Sequence, residues 1–307
     1  MSKKEGGFVK TVFQEFGDDD CTMMAASLAY YTVFSLPPLL FIVVFLAGVI
    51  FGAAQVEDQV VSQAQSLIGP SAAEQVRTML SNAGPESSSG GISMLASVLL
   101  LIFAATGVFA QLQAALNRAW EVKPDPEKGG VKSFIGKRML SFGMILAIAF
   151  LLLVSLVLSA AIAAAGGLMG GMLPGGLSEG VLYALQFGVN LIVFGLLFMA
   201  IFKWMPDAKI AWRDVWVGAA VTAVLFIVGK IGLGIYLGSS SPAESIGAAG
   251  ALAIIMLWVY YASMILLLGA EFTQVYAARY GSRIVPDEDA VRVVEQETHL
   301  RGEAAAQ

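Results

Sequence analysis

"LAYYTVFSLPPLLF", residues Leu28 to Phe41, lies inside an apolar run that extends from Ala25 to Ala54 without a charged residue. A helix needs roughly 20 apolar residues to cross the hydrocarbon core of a bilayer. The run is therefore long enough to form a transmembrane helix. Two tyrosines and the adjacent Pro37 and Pro38 interrupt it, although a simple anchor has no need of prolines. The stretch predicts a membrane-spanning helix whose tyrosines and prolines have a role other than anchoring the chain.

The whole chain has the composition of a membrane protein. Hydrophobic residues make up 57% of its 307 residues and charged residues only 13%, which places it outside the soluble globular class. Cys21 is the single cysteine, so no internal disulfide can form. The first residues lack the pattern of a signal peptide, and we expect them to remain on the mature chain.

Six segments are long and apolar enough to cross a membrane. They are approximately 25–54, 92–111, 140–168, 181–202, 215–237 and 247–270. These boundaries divide the chain into an N-terminal arm, a transmembrane domain and a C-terminal tail, at 1–24, 25–272 and 273–307. The fold class predicted is all-α, a polytopic integral membrane protein with six transmembrane helices.

The distribution of basic residues predicts the orientation in the membrane. Lys and Arg occur in the arm, in the loops after the second and fourth spans, and in the tail, whereas the alternate loops hold only Arg77. Basic segments stay on the cytoplasmic side of a membrane. Both termini are therefore predicted to be cytoplasmic, in a multi-pass protein of the inner membrane.

Residues 55–91 are predicted to form a short amphipathic hairpin on the outer side. Apolar residues recur at helical spacing on both sides of a break at Gly69-Pro70. They are Val56, Val60 and Leu67 before the break and Ala73, Val76 and Leu80 after it. A lid over the bundle and a plain connector are equally compatible with this pattern.

Motifs of soluble enzymes are scarce. His299 is the only histidine, so the histidine-rich clusters of zinc and two-metal hydrolases are excluded. No G-x-S-x-G elbow is present, and the orientation already explains the basic residues. The sequence therefore predicts no enzymatic activity, no metal, no cofactor and no nucleic-acid partner.

Polar side chains inside the spans are the candidate functional residues, because in lipid each needs a partner or a wet cavity. Tyr30 and Tyr31 share one face of the first span with Phe34. Pro37 and Pro38 remove backbone donors below them and free carbonyl groups. We expect a kink near Phe34 and a tyrosine that faces the interior of the bundle.

Two further spans carry polar stripes at helical spacing. The candidates are Thr106, Gln113 and Asn117 in the second span, and Tyr260, Ser263 and Glu271 in the sixth. Convergence of the stripes on a wet cavity would indicate a substrate path. Dry, fully paired contacts would instead indicate helix packing.

Two charged residues lie within the spans. Lys230 is roughly 10 Å from the outer end of the fifth span at helical rise. It either extends toward Glu244 at the interface or faces a cavity among neighbouring glycines. Glu271 is expected to meet Arg118 or Arg213 near the inner end of the sixth span.

Four segments carry a family resemblance. In chain order they are "DDDCTMMAASLAYYTVFSLPPLLFIVVFLAG", "GVFAQLQAALNRAWEV", "WRDVWVGAAVTAVLFIVGKIGLGIYL" and "GALAIIMLWVYYASMILLLGAEF". Together they resemble the YihY/BrkB family of bacterial inner-membrane proteins. The resemblance implies six helices in the inner membrane. Some members are linked to virulence and serum resistance, and others to movement of lipid-linked molecules. The older family label "ribonuclease BN" conflicts with the single histidine of this chain.

Two functions are compatible with these features. The first is a transporter or flippase-like protein whose polar helix faces move an amphipathic or lipid-linked substrate. The alternative is a non-transporting scaffold that binds lipids or partner proteins. Membrane lipids are the expected partners in both cases, and the oligomeric state is left open.

Overall fold

The computed structural model describes residues 7–68, 70–83, 107–128, 177–239 and 248–293, and single residues scattered between 136 and 162. We number the described elements in chain order. The helices are α1 (Phe8–Asp18), α2 (Cys21–Phe51), α3 (Ala53–Ile68), α4 (Pro70–Ala83), α5 (107–119), α6 (Leu177–Trp204), α7 (Trp212–Ser239) and α8 (Ala248–Arg279). The strands are β1 (Val122–Pro124), β2 (Ala208–Lys209), β3 (Val285–Pro286) and β4 (Ala290–Arg292). The predicted helical class is confirmed, with short strands that the sequence did not indicate.

Three described helices are long and apolar enough to cross a membrane. They include Gly180–Trp204, Trp212–Ile235 and Leu252–Arg279, and they match the fourth, fifth and sixth predicted spans. Helix α2 contains residues 25–51 of the charge-free run of the first span, and the last two residues of the run, Ala53 and Ala54, begin α3. Most of the second span and nearly all of the third fall outside the described residues. Six spans therefore remain a prediction.

Helix α2 continues through Pro37 and Pro38 without an interruption, so the structure shows no helix break at the predicted kink. It ends before Gly52, whose φ of 92° lies in the left-handed region that favours glycine. Small residues dominate its buried face, and Cys21 and Ala25 are fully buried. This face packs against α8, because small side chains let two helices approach closely.

The predicted amphipathic hairpin is present as α3 and α4, with the break at residues 69–70. Its buried side chains are Val56, Val61, Ala73, Val76 and Leu80. Val60, placed on the α3 face from the sequence, is only half-buried. The hairpin packs back against Leu36, Leu40 and Val44 of α2. Neighbouring α2, rather than helical spacing alone, selects which side chains of α3 are buried. The position of the hairpin on the outer side stays a prediction.

Helices α7 and α8 meet through two matched Gly-x-x-x-Thr pairs. A Cβ atom added at Gly218 would lie 1.8 Å from Thr273 Oγ1, and one added at Gly269 would lie 1.9 Å from Thr222 Oγ1. Each threonine hydroxyl donates a 2.7 Å hydrogen bond to the glycine carbonyl one turn earlier in its own helix. The glycines therefore form notches that receive the threonines of the opposite helix.

Two antiparallel strand pairs tie the end of α8 to earlier loops. Strand β1 pairs with β4 and β2 pairs with β3. Lys209 reinforces the second pair through ion pairs of 3.2 Å to Asp287 and 3.1 Å to Glu288. The segment after α8 is thus part of the folded unit as far as residue 293.

Candidate functional site

A cavity of about 670 Å³ opens where α1 and the α1–α2 turn face α5 and β1. We call it the acidic cleft. Its charged lining residues are Glu15, Asp18, Asp19, Glu121, Arg118 and Lys123. Ala110 and Ala114 form part of the α5 wall. A cavity of this size lies within the range of small-molecule sites, and it combines charged groups of both signs with an apolar wall.

The polar stripe of α5 forms another part of this wall. Gln113 Nε2 and Asn117 Nδ2 donate hydrogen bonds of 3.1 Å and 2.8 Å to the two carboxylate oxygens of Asp207. The backbone N–H of Asp207 donates a 2.8 Å bond to Asn117 Oδ1. These bonds hold the α6–α7 loop against α5. The two predicted path residues line the cleft and also serve to fix a loop.

Helix α1 is fixed on α8 by contacts near its start. Arg279 Nη2 donates a 2.7 Å hydrogen bond to Thr11 Oγ1, and the rings of Phe8 and Phe272 meet edge to face at 5.1 Å. Asp20 follows α1 with a φ of 53°, a left-handed conformation that aspartate tolerates better than most residues. This turn brings the end of α1 beside the C-terminal part of α8.

Glu271 lies behind the acidic cleft and is fully buried. Its Oε1 atom accepts a hydrogen bond from the thiol of Cys21 at 3.4 Å. The Asp19 carboxyl group lies within hydrogen-bonding reach of Glu271. The expected contact of Glu271 with Arg118 or Arg213 is wrong. Arg118 instead pairs with Asp20 at 3.1 Å, and both of these side chains are exposed.

The buried position of Asp19 beside Glu271 changes the pKa of its carboxyl group. Burial raises the pKa of Asp19 to about 6, and the neighbouring Glu271 and Arg118 partly oppose that effect. Asp19 precedes α2 and lies outside the apolar run of the first predicted span. A carboxyl group of the cleft thus titrates close to neutral pH.

The tyrosines of α2 lie on a side of the helix that the described helices leave uncovered. Tyr30 is 55% exposed and Tyr31 is 45% exposed. Most of the second and third predicted spans fall outside the described residues, so a tyrosine that faces the bundle interior stays a prediction. The buried face of α2 carries small residues such as Ala25 and Ala29, and the tyrosines project away from it. Their rings contact each other at 5.9 Å.

The remaining candidates are dispersed. Tyr260 and Pro37 are half-buried, and Ser263 is half-buried along α8. Pro38 lies within α2, and Thr106 falls outside the described residues. Of Tyr31, Gln113 and Tyr260, only Gln113 lines the acidic cleft. The described parts of the three polar stripes therefore do not share this cavity.

Lys230 is half-buried in α7. The adjacent Gly229 leaves room for Tyr261, since a Cβ there would lie 2.0 Å from the Tyr261 hydroxyl oxygen. That hydroxyl donates a 3.0 Å hydrogen bond to the Phe226 carbonyl. The glycine therefore serves helix packing. Glu244, the proposed partner of Lys230, lies outside the described residues, and both predictions for Lys230 stay open.

The sequence did not single out Asp19, Cys21 or Asp207 as site residues. Asp19 and Cys21 belong to the "DDDC" stretch before the first span, where polar residues are expected as ordinary flanks. Their significance follows from contacts with α8. Within the described ranges, no group of three His, Cys, Asp or Glu side chains is arranged to hold a metal ion.

A sequence model of the family described as "Virulence factor BrkB" matches residues 12–293. The chain belongs to the BrkB family. This match confirms the resemblance found in the four sequence segments. The BrkB-family match includes α1 from residue 12 onward, the acidic cleft and all four strands. It therefore covers the whole candidate site.

Curated relatives of this BrkB chain are described as UPF0761 membrane proteins. The one from Alteromonas mediterranea is 27% identical over 261 residues, which cover 83% of each chain. The one from Cronobacter sakazakii is 26% identical over 273 residues, or 87% of each chain. The one from Delftia acidovorans is 28% identical over 86% of this chain but only 60% of its own length. The chain thus spans little more than half of some relatives. No solved structure matches it.

Proposed function

We propose that this BrkB-family membrane protein is a transporter or flippase-like protein of the inner membrane, with both termini in the cytoplasm. The acidic cleft is the entrance of the path. The observation that carries the proposal is this cavity of about 670 Å³, formed beside helices that are apolar enough to span a membrane. The proposal assigns no catalytic step to the protein. The sequence contains no nucleotide-binding motif, so in this proposal the driving force for transport comes from a gradient or from the substrate itself.

The lining of the cleft favours an amphipathic substrate with a zwitterionic head group. Arg118 and Lys123 can bind a phosphate. The carboxylates of Glu15 and Glu121 can receive an ammonium group. The wall at Ala114 offers apolar surface for the adjoining part of a lipid. A purely anionic substrate would meet repulsion from the carboxylates.

One observation favours the alternative, a non-transporting scaffold that binds lipids or partner proteins. Gln113 and Asn117 are engaged by Asp207. Polar residues that are paired in this way hold helices and loops together without contacting a substrate. A scaffold would retain the cleft as a surface depression and would not move lipid.

Substitution of Ala114 by tryptophan should separate the two functions. The indole would occupy the cleft, and we expect it to slow lipid movement by about tenfold, equal to roughly 1.4 kcal/mol in the barrier. The assay reconstitutes the full chain in liposomes and follows the movement of labelled phosphatidylethanolamine between leaflets by chemical quenching. Thermal unfolding in the same lipid verifies that the variant is folded.

Ala220 provides the matched control, because it is exposed on α7 and does not line the cleft. Ala220→Trp should move lipid at the rate of the unmodified protein. The transport proposal fails if the unmodified protein does not accelerate lipid movement. It also fails if Ala114→Trp and Ala220→Trp are equally active.

A further inference from the structure

A pair of carboxyl groups lies at the base of the acidic cleft. Glu271 is 0% exposed, and its Oε1 atom accepts the thiol hydrogen of Cys21. Its Oε2 atom receives no hydrogen bond from the described protein groups. Asp19 lines the cleft and lies within hydrogen-bonding reach of Glu271. Glu271 thus has an unsatisfied buried oxygen and lies beside a second carboxyl group that lines the cleft.

The charges that face the pair are mostly negative. Glu15 of α1 acts on both carboxyl groups, and Glu121 acts on Asp19. Arg118 of α5 is the cation that acts on Asp19. Its guanidinium forms an ion pair with Asp20. The described surroundings therefore do not supply a cation dedicated to the pair.

Helix α7 also packs against α8, and the buried charged residue that it carries is another carboxylate. Its buried carboxylate, Asp214, accepts a 3.1 Å hydrogen bond from the backbone N–H of Ser282. A Cβ at Gly281 would lie 2.3 Å from an Asp214 carboxylate oxygen. The Asp214 carboxylate thus contacts the segment after α8 at Gly281 and Ser282.

Two ionised carboxylates in this place would be strongly unfavourable. A buried ion without adequate donors costs several kcal/mol of desolvation, and a second negative charge within hydrogen-bonding reach adds repulsion. A proton shared between the two carboxyl groups removes one of the two negative charges and adds a hydrogen-bond donor to the pair. We propose that Asp19 and Glu271 form a proton-binding site that shares one proton at neutral pH. This site does not depend on lipid transport by the cleft.

The pair can also take up a second proton under mild acid. Burial raises the pKa of Asp19 to about 6, and Asp19 borders the cleft. The net charge at the base of the cleft therefore changes as the pH falls through that value. Aspartic dyads provide the physical precedent, since two adjacent carboxyl groups titrate in separate steps.

Cys21 is a built-in reporter of this site. It is the only cysteine of the chain, so the protein has a single S–H stretching band in the infrared. The thiol donates to Glu271, and hydrogen bonds to charged acceptors are stronger than bonds to neutral ones. Uptake of the second proton should weaken this bond and move the band to higher frequency.

The test is infrared difference spectroscopy of the full chain in lipid nanodiscs, from about pH 8 to about pH 4. The unmodified protein should show the carbonyl stretch of a protonated carboxyl group at neutral pH. The Cys21 band should shift on acidification through about pH 6. Glu271→Gln should lose the neutral-pH carboxyl signal. Glu127→Gln, at an exposed residue outside the pair, should keep it.

Two results would overturn the proton site. One is the absence of a protonated carboxyl signal at neutral pH in the unmodified protein, or its persistence in Glu271→Gln. The other is a Cys21 band that stays at one frequency across the titration. The second measurement needs no substitution, so it remains decisive if Glu271→Gln does not fold. Neither readout depends on lipid movement, so failure here is distinct from failure of the transport proposal.

Discussion

Replacing Gly218 with leucine should destabilise the protein by about 3 kcal/mol or more, at the upper end of overpacking effects. A side chain at this position would collide with Thr273, because even its Cβ would lie 1.8 Å from Thr273 Oγ1. Helices α7 and α8 would have to separate. We expect Gly269→Leu to act in the same way through Thr222. The measurement is thermal unfolding of purified protein in detergent, followed by size-exclusion chromatography.

Gly232 is the matched control in the same helix, since nothing lies within 4 Å of a Cβ added there. Gly232→Leu should leave the unfolding temperature nearly unchanged. The contact can also be tested by compensation, because the pair Gly218→Ala and Thr273→Gly should be more stable than Gly218→Ala alone. The notch account is refuted if Gly218→Leu and Gly232→Leu unfold at the same temperature.

Replacing Trp120 with alanine should cost about 3–5 kcal/mol, the usual range for a large buried aromatic side chain. Trp120 is 1% exposed, and its Nε1 atom donates a 3.0 Å hydrogen bond to the Ala270 carbonyl. Its ring meets Phe202 edge to face at 5.9 Å. The substitution would leave a cavity where α5, α6 and α8 meet. Chemical or thermal unfolding in detergent measures the loss.

Trp216 serves as the control for Trp120, because it is 59% exposed on α7. Trp216→Ala should change stability by about 0.5 kcal/mol or less. Trp120→Phe keeps an aromatic ring and should lose about 1 kcal/mol, mainly the hydrogen bond. If Trp120→Ala were as stable as Trp216→Ala, the contacts of Trp120 with Phe202 and Ala270 would not be needed for stability.

The local parts of the fold could be predicted from the sequence. Hydropathy over about 20 residues locates α2, α6, α7 and α8, since a spanning helix is defined by its own composition. The apolar spacing on both sides of Gly69-Pro70 likewise predicts α3 and α4. The family could be identified because its matching segments extend through most of the chain.

Contacts between distant segments could not be predicted in the same way. Strands β1 and β4 pair Val122 with Arg292, and such short strands have no periodic pattern of their own. The sequence grouped Tyr30 and Tyr31 correctly on one helical face. It contained no information on which face α8 covers. The structure buries the small residues of the other face instead.

The surroundings of Glu271 show the same limit. Sequence reasoning placed the nearest cations beside it, since buried charges are usually paired. The left-handed turn at Asp20, with a φ of 53°, brings Asp19 to Glu271 instead. By contrast, the Gly218 and Gly269 notches had a visible signal in the two Gly-x-x-x-Thr pairs. Small residues at this spacing are typical of close helix contacts in membranes.

The most direct test of the transport account is to identify what enters the acidic cleft in a native membrane. A photo-crosslinking amino acid at Ala114 would lie on the α5 wall of the cleft, and one at exposed Glu127 would serve as the control. After irradiation, mass spectrometry of the purified protein should find a phospholipid or lipid-linked adduct at residue 114 and none at residue 127. No lipid adduct at residue 114, or adducts to other proteins alone, would contradict a lipid path through the cleft.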